Sequence, residues 1–199
     1  MLAALNCHGT VTIYNAAKEP EIEDLAGFLT AMGVSVMGAG TAVLQITGSR
    51  PTHDASYTIM PDRIEAATFL AAAAATGGSV RLRGVRVAHL YAVVQALQQA
   101  GARIDTGPET LYLRAGPLHA IRPVRTAPYP GFPTDAQALL MASLLRADGI
   151  TVLEEQVFEN RFQHVAALQA MGADIQVANR IARIRGVASL HGCDAEAKD

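Results

Sequence analysis

The feature that most constrains the fold of this chain is a repeat of about seventy residues that is punctuated by glycines. Three similar blocks begin at glycines that lie 69 and 71 positions apart: Gly9, Gly78 and Gly149. A second set, 68 and 71 positions apart, follows the helix-like stretch of each block: Gly33, Gly101 and Gly172. A glycine in the left-handed conformation commonly ends a helix, so the second set predicts three helix ends.

Each block reads as a strand, a helix and two further strands. Alternating apolar residues predict a first strand with one buried face, at Val11 and Ile13, Val80 and Leu82, and Ile150 and Val152. Apolar residues in steps of three and four then predict a one-sided helix, at Ile22, Leu25, Leu29 and Met32, at Leu90, Val94 and Leu97, and at Phe162, Val165 and Leu168. Short strands follow, such as "VSVM" and "VLQIT" or "ARID" and "LYLR".

Another strand and helix precede each of the later two blocks. They are "YTIM" with "RIEAATFLAAAAATGG", and "IRPVRT" with "DAQALLMASLLRADG", so the whole unit is βαβαββ. The first copy is then incomplete, and "LHGCDAEAKD" is predicted to open a further copy. We therefore expect an α/β repeat protein that is a segment of something larger, whose uncovered strand edges promote self-association. The irregular alternation disfavours a (β/α)8 barrel, and no G-x-G-x-x-G follows a strand.

Composition restricts the class of partner. The formal net charge is -2, the pI is about 6.3 and there is no dense Lys/Arg run, which argues against nucleic acid and membrane surfaces and favours small molecules. Cys7 and Cys193 are far apart, which favours free thiols in a reducing cytoplasm, and the six histidines show no metal-ligand spacing. "MLAALNC" is a poor signal peptide and the alanine-rich run is too short to span a membrane.

The segment "PGFPTDAQ" contains the first candidate site residues. Pro130 and Pro133 restrict the backbone, Thr134 is a good N-cap, and Asp135 suits the positive end of a helix dipole. Helix capping alone accounts for these residues, but the loop is longer and stiffer than capping needs. The alternative is that an ionised Asp135 accepts a hydrogen bond from a ligand hydroxyl. Because the dipole stabilises the carboxylate, positioning a hydroxyl suits Asp135 better than abstracting its proton.

Two further segments contain charged candidates. In "QVFENRFQH", Arg161 is either a solvated surface residue or a guanidinium fork for a carboxylate or phosphate. In "MPDRIEAATF", Asp62, Arg63 and Glu65 lie at a helix entrance, where capping is favoured over ligand contact. Pro20, in "NAAKEPEIEDL", predicts another helix start.

Four motifs together resemble one enzyme family. "NAAKEPEIEDLAGFL", "PDRIEAATF", "RTAPYPGFPTDAQA" and "VFENRFQHV" are similar to UDP-N-acetylglucosamine enolpyruvyltransferase, also called UDP-N-acetylglucosamine 1-carboxyvinyltransferase. The resemblance runs along essentially the whole chain and covers about half of a typical member. It implies two domains, each an inside-out α/β barrel of three βαβαββ units. Residues 1–60 would be the last unit of one domain, and residues 61–199 the first two units and the start of a third in the other, with a hinge near Met60 and Pro61.

The resemblance also implies a reaction and roles for single residues. The family transfers the enolpyruvyl group of phosphoenolpyruvate to the 3'-hydroxyl of UDP-N-acetylglucosamine through a tetrahedral intermediate, releases phosphate, and uses no metal or other cofactor. Asp135 would face the hydroxyl as the proposed base with Thr134 beside it, Val157 would contact the nucleotide-sugar, and Arg161 would face the phosphoenolpyruvate carboxylate. As secondary candidates, we expect Arg63, Glu65 and Asp199, the last as the first residue of the family's Asp-Leu-Arg motif.

The remaining parts of the family's site do not match this chain. The Lys-Asn pair, the mobile loop with a catalytic cysteine and the loop with an arginine all precede this segment in the family, and neither Cys7 nor Cys193 matches that cysteine. We therefore expect no turnover from these 199 residues alone. Two alternatives stay open: 5-enolpyruvylshikimate-3-phosphate synthase, against which "FPTD" and "FENRF" weigh, and a non-catalytic binding or scaffold domain, against which the retained Asp135 and Arg161 weigh.

Overall fold

The computed structural model describes residues 1–48 and 50–195. The predicted secondary site residue Asp199 therefore lies outside the described residues. The chain divides into two compact units, Met1–Met60 and Pro61–Asp199. The assignment of these residues to two domains of a longer enzyme stays a prediction.

The first unit is a three-stranded antiparallel sheet with one α-helix. Its elements are a 3-10 helix (Leu2–Asn6), β1 (Thr10–Tyr14), α1 (Pro20–Ala31), β2 (Val36–Met37) and β3 (Val43–Thr47). Strand β3 lies between the other two, in the order β1-β3-β2. As predicted, Pro20 is the first residue of α1, where its missing N–H leaves no hydrogen bond unmade. Leu29, Leu44 and Ile46 are buried in the small core that joins α1 to the sheet.

The second unit contains the rest of the secondary structure. The elements are α2 (Arg63–Thr76), β4 (Ser79–Arg83), a 3-10 helix (Val87–Leu90), α3 (Tyr91–Gln99), β5 (Arg103–Thr106), β6 (Thr110–Arg114), β7 (Val124–Arg125), a 3-10 helix (Thr134–Ala136), α4 (Gln137–Ser143), β8 (Ile150–Glu154), α5 (Val165–Ala170), β9 (Asp174–Ala178) and β10 (Ile181–Arg185). One hydrophobic core contains buried residues from both of its repeats.

The sheets repeat one topology, which confirms the repeat. The orders β1-β3-β2, β4-β6-β5 and β8-β10-β9 all place the last strand of the block in the middle. The run β7-α4-β8-α5-β9-β10 is a complete βαβαββ unit, and β7 adds to its sheet as a parallel neighbour of β8. The three glycines predicted to end helices have positive φ, +86° at Gly33, +103° at Gly101 and +95° at Gly172.

Helix α2 is the central element of the second unit. Alanines supply much of its buried surface, and its Leu70 is fully buried. Ser143 of α4 donates a hydrogen bond of 3.2 Å to the Ala71 carbonyl of α2, which joins the two helices directly. At the start of α2, Asp62 accepts hydrogen bonds from the backbone N–H groups of Ile64 (2.7 Å) and Glu65 (3.1 Å). Asp62 is thus the residue that caps this helix entrance.

Several predictions of local structure are wrong. "YTIM", residues 57–60, forms no strand, and Ile59 in it is exposed. Residues 190–195 of "LHGCDAEAKD" form no strand either, and the last four residues of that segment lie outside the described residues. Ile13 is 36% exposed and does not pack against the core, so of the two predicted core residues of β1 only Val11 does. Short apolar runs of this kind are compatible with a strand, but they do not specify a neighbouring strand with which to pair.

The buried face of β8 is also the opposite of the predicted one. Thr151 and Leu153 point into the core, whereas Ile150 and Val152 are only half-buried. The prediction failed because apolar or β-branched residues occupy both faces of "ITVL", so alternation could not choose between them. Thr151 is tolerated in the core because its hydroxyl oxygen accepts the Ile121 N–H at 3.2 Å.

No helix within residues 1–48 and 50–195 is both long enough and apolar enough to cross a membrane.

The register of β8 predicts a difference between two neighbouring substitutions. Leu153→Ala empties a fully buried position and should lower the free energy of unfolding by about 3 kcal/mol. The matched Val152→Ala, on the half-buried face, should cost no more than about 1.5 kcal/mol. Urea denaturation of both variants measures the difference, and a larger loss for Val152→Ala would contradict the register.

Candidate active site

Two loops of the second unit leave the sheet at the same edge. Strands β7 and β8 are parallel neighbours, with Val124 opposite Leu153 and Arg125 opposite Glu154. Their carboxyl ends therefore lie side by side, which is where α/β proteins commonly bind ligands. The loop after β7, residues 126–133, carries the prolines, and the loop after β8, residues 155–164, carries the "VFENR" motif.

The proline-rich loop is folded back on itself. The N–H of Thr126 donates to the Glu154 carbonyl of β8 at 2.9 Å, and the N–H of Ala127 donates to the Phe132 carbonyl at 3.0 Å. Phe132 is buried in the hydrophobic core, so it anchors the far end of the loop. The 3-10 helix that contains Asp135 begins two residues later. The loop thus delivers that short helix to a defined place beside the sheet.

A buried carboxylate, Glu155, connects the two loops. The residue is 1% exposed and follows β8 directly. Its Oε1 accepts hydrogen bonds from the Thr126 hydroxyl (2.8 Å) and from the N–H groups of Val157 (2.9 Å) and Phe158 (3.0 Å). Its Oε2 accepts a hydrogen bond from the Thr134 hydroxyl (2.8 Å). One side chain therefore holds both ends of the proline-rich loop and the turn that begins the "VFENR" loop.

The main chain of Glu155 is also fixed. Its N–H donates to the Arg180 carbonyl at 2.8 Å, in the turn between β9 and β10. Sequence reasoning missed Glu155. The available signal was an acidic residue at the end of an apolar strand, two residues before the "VFENR" motif, but two adjacent acidic residues, Glu154 and Glu155, are also typical of a solvated surface.

Hydrogen bonding keeps Glu155 ionised. Burial alone would raise the pKa of its carboxyl, but the bonds donated by Phe158 N–H, the Thr126 and Thr134 hydroxyls and Val157 N–H outweigh burial and hold the pKa below its ordinary value. A carboxylate that accepts four hydrogen bonds is a rigid, fully used group. It is consequently suited to holding the loops rather than to exchanging a proton.

The structure brings together the two charged residues that were predicted as the centre of the site. Asp135 Oδ1 accepts a hydrogen bond from Arg161 Nη2 and forms an ion pair with it. The two side chains are 51% and 41% exposed, so a ligand can reach both. The Arg161 guanidinium also lies over the Phe158 ring, 5.4 Å from its centroid. The pair therefore presents an anion acceptor and a cation donor next to each other at the carboxyl edge of the sheet.

Thr134 does not have the capping role predicted for it. The N-cap of the 3-10 helix is Pro133 and that of α4 is Ala136, and neither end has a side-chain cap. The prediction was wrong because the Thr134 hydroxyl is committed to the buried Glu155 across the site. Val157, predicted to contact the nucleotide-sugar, is 38% exposed beside this network, with its backbone N–H bonded to Glu155.

Of the secondary candidates, Arg63 and Glu65 lie on α2, the first buried and the second exposed. Arg63 is only 8% exposed, and its guanidinium lies 5.8 Å from the centroid of the Tyr129 ring in the proline-rich loop. It thus supports that loop from the first turn of α2. Glu65 is exposed on the same helix, with its backbone N–H taken by Asp62.

His164 lies at the end of the second loop, next to Arg161. Burial lowers the pKa of its imidazole, and the positive charge of Arg161 lowers it further, against a smaller opposing effect from a backbone hydrogen bond with Arg161. At neutral pH the ring is therefore uncharged and does not compete with Arg161 for an anion. Across residues 1–48 and 50–195, no group of three or more His, Cys, Asp and Glu side chains is arranged to hold a metal ion.

Comparison with known proteins places the chain in a family. The family model of EPSP synthase (3-phosphoshikimate 1-carboxyvinyltransferase) matches residues 1–199. The chain belongs to the EPSP synthase family. Its curated relatives include the UDP-N-acetylglucosamine 1-carboxyvinyltransferase of Novosphingobium aromaticivorans, 47% identical over the whole chain, and UDP-N-acetylglucosamine 1-carboxyvinyltransferase 1 of Caldanaerobacter subterraneus subsp. tengcongensis, 45% identical over the whole chain. The chain spans about half the length of these relatives, 47% and 48% respectively.

Solved structures support the fold of this family member. The enolpyruvyl transferase NikO from Streptomyces tendae is 27% identical and superposes with a TM-score of 0.80 over 93% of this chain and 44% of its own. The EPSP synthase of Acinetobacter baumannii is 16% identical with a TM-score of 0.50, covering 96% of this chain and 44% of its own, and shows the fold alone. The predicted enolpyruvyltransferase fold and the resemblance to UDP-N-acetylglucosamine 1-carboxyvinyltransferases are both confirmed.

The lowered pKa of Glu155 predicts how Glu155→Gln changes stability with pH. The ionised carboxylate stabilises the folded protein fully above the unfolded-state pKa, near 4.5, and this contribution is lost as the pH falls through the lower folded-state pKa. We expect Glu155→Gln to be less stable than the unmodified protein at pH 7, and the gap to narrow as the pH falls below the unfolded-state pKa, near 4.5. Urea unfolding at a series of pH values measures it.

The neighbouring substitution Glu154→Gln is the matched control for this experiment. Glu154 is more exposed and bonds to Arg125 at 2.7 Å on the protein surface, so solvent screens its contribution. The stability gap between Glu154→Gln and the unmodified protein should therefore change less with pH than the gap for Glu155→Gln. A gap for Glu155→Gln that stays constant from pH 7 to pH 3 would contradict the ionised state of Glu155.

Proposed function

We propose that this chain is part of an enzyme that transfers the enolpyruvyl group of phosphoenolpyruvate to the 3'-hydroxyl of UDP-N-acetylglucosamine and releases phosphate. The observation that carries the proposal is the pairing of Asp135 with Arg161 at the carboxyl edge of the sheet. The names of the curated relatives support the substrate assignment. The chain spans about half of those relatives, so the remainder of the enzyme chain is the implied partner.

The ion pair suggests how the site receives its substrates. Asp135 and Arg161 form an ion pair with each other, and both are about half-exposed, so each can exchange its partner for a substrate group. The carboxylate of phosphoenolpyruvate takes the place of Asp135 on the Arg161 guanidinium, which favours bidentate carboxylate binding. Asp135 is then released to accept a hydrogen bond from the sugar hydroxyl, and Val157 contacts the nucleotide-sugar.

The chemistry follows in two stages. The sugar oxygen bonds to C2 of phosphoenolpyruvate as C3 gains a proton from an acid in the rest of the enzyme, and the hydroxyl proton passes to a base, for which Asp135 is the candidate. The resulting tetrahedral intermediate then loses phosphate from C2 and a proton from C3, which restores the double bond. The residues that the resemblance places elsewhere, a Lys-Asn pair, a cysteine and an arginine, would come from the rest of the enzyme. The lysine and the arginine among them would balance the charge of the phosphate. No metal or other cofactor enters this scheme.

The biological setting follows from the substrates. UDP-N-acetylglucosamine would make this the first committed step of peptidoglycan synthesis, in the cytoplasm, and so a part of cell-wall biogenesis, cell shape, cell division and the cell cycle. The proposal involves neither nucleic acid nor a membrane as a partner.

The test of the proposal is phosphate release from phosphoenolpyruvate by the longer protein that contains these residues. We expect release with UDP-N-acetylglucosamine and none with shikimate 3-phosphate. The reverse preference would favour 5-enolpyruvylshikimate-3-phosphate synthase, which the family description supports. Binding of UDP-N-acetylglucosamine without any phosphate release would favour a binding or scaffold protein. The 199 residues alone are expected to release none.

Asp135→Asn should remove turnover while leaving binding in place. The amide keeps the shape of the side chain and can still contact a hydroxyl, but it cannot take up a proton. We expect kcat to fall by about 10²- to 10⁴-fold, with KM for UDP-N-acetylglucosamine changed much less. Steady-state kinetics of the longer protein measures both values, and a kcat within about threefold of the parent would exclude Asp135 as the base.

Arg161→Lys should affect phosphoenolpyruvate specifically. Lysine keeps the positive charge but cannot form the two parallel hydrogen bonds of a guanidinium with a carboxylate. We expect KM for phosphoenolpyruvate to rise about 10- to 100-fold, since a hydrogen bond to a charged group contributes about 1.5–3 kcal/mol. KM for UDP-N-acetylglucosamine, measured in the same assays, should change less. Equal increases for both substrates would argue against this assignment of Arg161.

A further inference from the structure

The buried network around Glu155 is unusual because it lies directly behind the exposed ion pair. Glu155 accepts a hydrogen bond from the hydroxyl of Thr134, the residue that precedes Asp135 in the chain. Glu155 also accepts a hydrogen bond from the N–H of Phe158, whose ring lies against the Arg161 guanidinium. The carboxylate itself is 1% exposed, so no substrate atom can reach it. Asp135 is thus joined by a peptide bond, and Arg161 by a contact with an aromatic ring, to a residue that Glu155 holds.

We propose that Glu155 is a positioning residue of the proposed reaction, which sets the separation of Asp135 and Arg161 by holding their two loops with one carboxylate. The inference rests on the proposed function, which it deepens by naming the group that aligns the base with the carboxylate-binding residue. Thr134 acts through Glu155, and its hydroxyl positions Asp135 rather than contacting substrate.

Both oxygens of Glu155 contribute to the alignment. Oε1 takes the N–H groups of Val157 and Phe158, which sets the loop that presents Arg161. It also takes the hydroxyl of Thr126 at the start of the proline-rich loop. Oε2 takes the Thr134 hydroxyl and therefore sets the 3-10 helix that presents Asp135. A rigid carboxylate fixes the distance between these attachment points, as no pair of separate side chains would. Misplacement of a catalytic group by about 1 Å can cost about 10²-fold in rate, so this alignment has a measurable consequence.

The geometry also indicates what a glutamine at position 155 would change in the network. Three hydrogen bonds converge on Oε1 and one on Oε2, and all four are donated to the side chain. In a glutamine, the oxygen would have to face the two N–H groups, and the amide nitrogen would then face Thr134. The hydroxyl of Thr134 could accept from that nitrogen by rotating, so the network would survive with reversed polarity at one point.

The first experiment separates positioning from direct substrate contact at Thr134. Thr134→Val removes the hydroxyl at nearly constant volume, whereas Thr134→Ser keeps it. In the longer protein we expect Thr134→Val to lower kcat about 10- to 100-fold, with both KM values within about threefold of the parent. Thr134→Ser should restore kcat to within about threefold. A rise in KM for UDP-N-acetylglucosamine with unchanged kcat would show direct substrate contact and overturn the proposal.

A double-mutant cycle then tests whether Thr134 acts through Glu155. If it does, Thr134→Val should have little further effect on kcat/KM in a Glu155→Ala background, because the bond it removes is already absent. Additive losses would overturn the proposal. If Glu155→Ala proves too unstable to assay, Glu155→Gln replaces it in the cycle. Thr134→Val and Glu155→Gln alter the same hydrogen bond, so their effects on kcat/KM should be non-additive. Additive losses in this cycle would likewise overturn the proposal.

Glu154→Gln is the matched control for activity. Glu154 is adjacent in sequence but faces solvent, where it bonds to Arg125 and Gln156 rather than to either loop residue of the ion pair. It should leave kcat and both KM values unchanged. The failure of the proposed function remains distinguishable: if the parent protein releases no phosphate, the proposed reaction is wrong, whereas normal turnover in Thr134→Val overturns the positioning role alone.

Discussion

The arrangement of the candidate site depends on one buried carboxylate. Glu155 accepts four hydrogen bonds at the point where β8 ends, and these bonds come from both loops that carry the charged residues. Burying a charge is unfavourable unless every lone pair is used, and here the converging donors keep the carboxyl ionised. The same requirement makes the loops rigid, because moving either of them would leave a buried charge under-satisfied.

The scaffold beneath this network follows from the repeat. Three blocks share the strand order first-third-second, and the complete unit adds β7 as a parallel neighbour of β8. Parallel pairing brings two carboxyl ends to one edge, so two segments about thirty residues apart in the chain emerge side by side. Helix α2, packed against α4 through Ala71 and Ser143, supports this arrangement from the core. The family resemblance and the TM-score of 0.80 to NikO agree with a scaffold of this kind.

The sequence was informative where local rules dominate. It predicted the helix-ending glycines, the helix start at Pro20 and the order of strands and helices in the repeat. These features follow from backbone geometry and apolar periodicity, which neighbouring residues largely determine. The sequence was misleading where either face of a strand could be buried equally well. The apolar residues of "ITVL" allowed either face of β8 to be buried, and the face with Thr151 and Leu153 is the buried one, where Ile121 supplies the hydrogen-bond donor that Thr151 needs. The strand predicted for residues 57–60 shows the same limit, since a strand requires a partner that periodicity does not specify.

The sequence by itself determined the family and the βαβαββ repeat and predicted Asp135 and Arg161 as candidate site residues, because motifs and spacing are properties of the linear chain. Only the tertiary structure decided that these two residues form an ion pair, that Thr134 turns away from the cap, and that Glu155 joins the loops. The physical reason is that hydrogen bonds between residues 126, 134, 155 and 158 exist only after parallel strands bring their ends together. Whether an acidic residue is solvated or buried and fully bonded depends on those distant donors, and no local pattern records them.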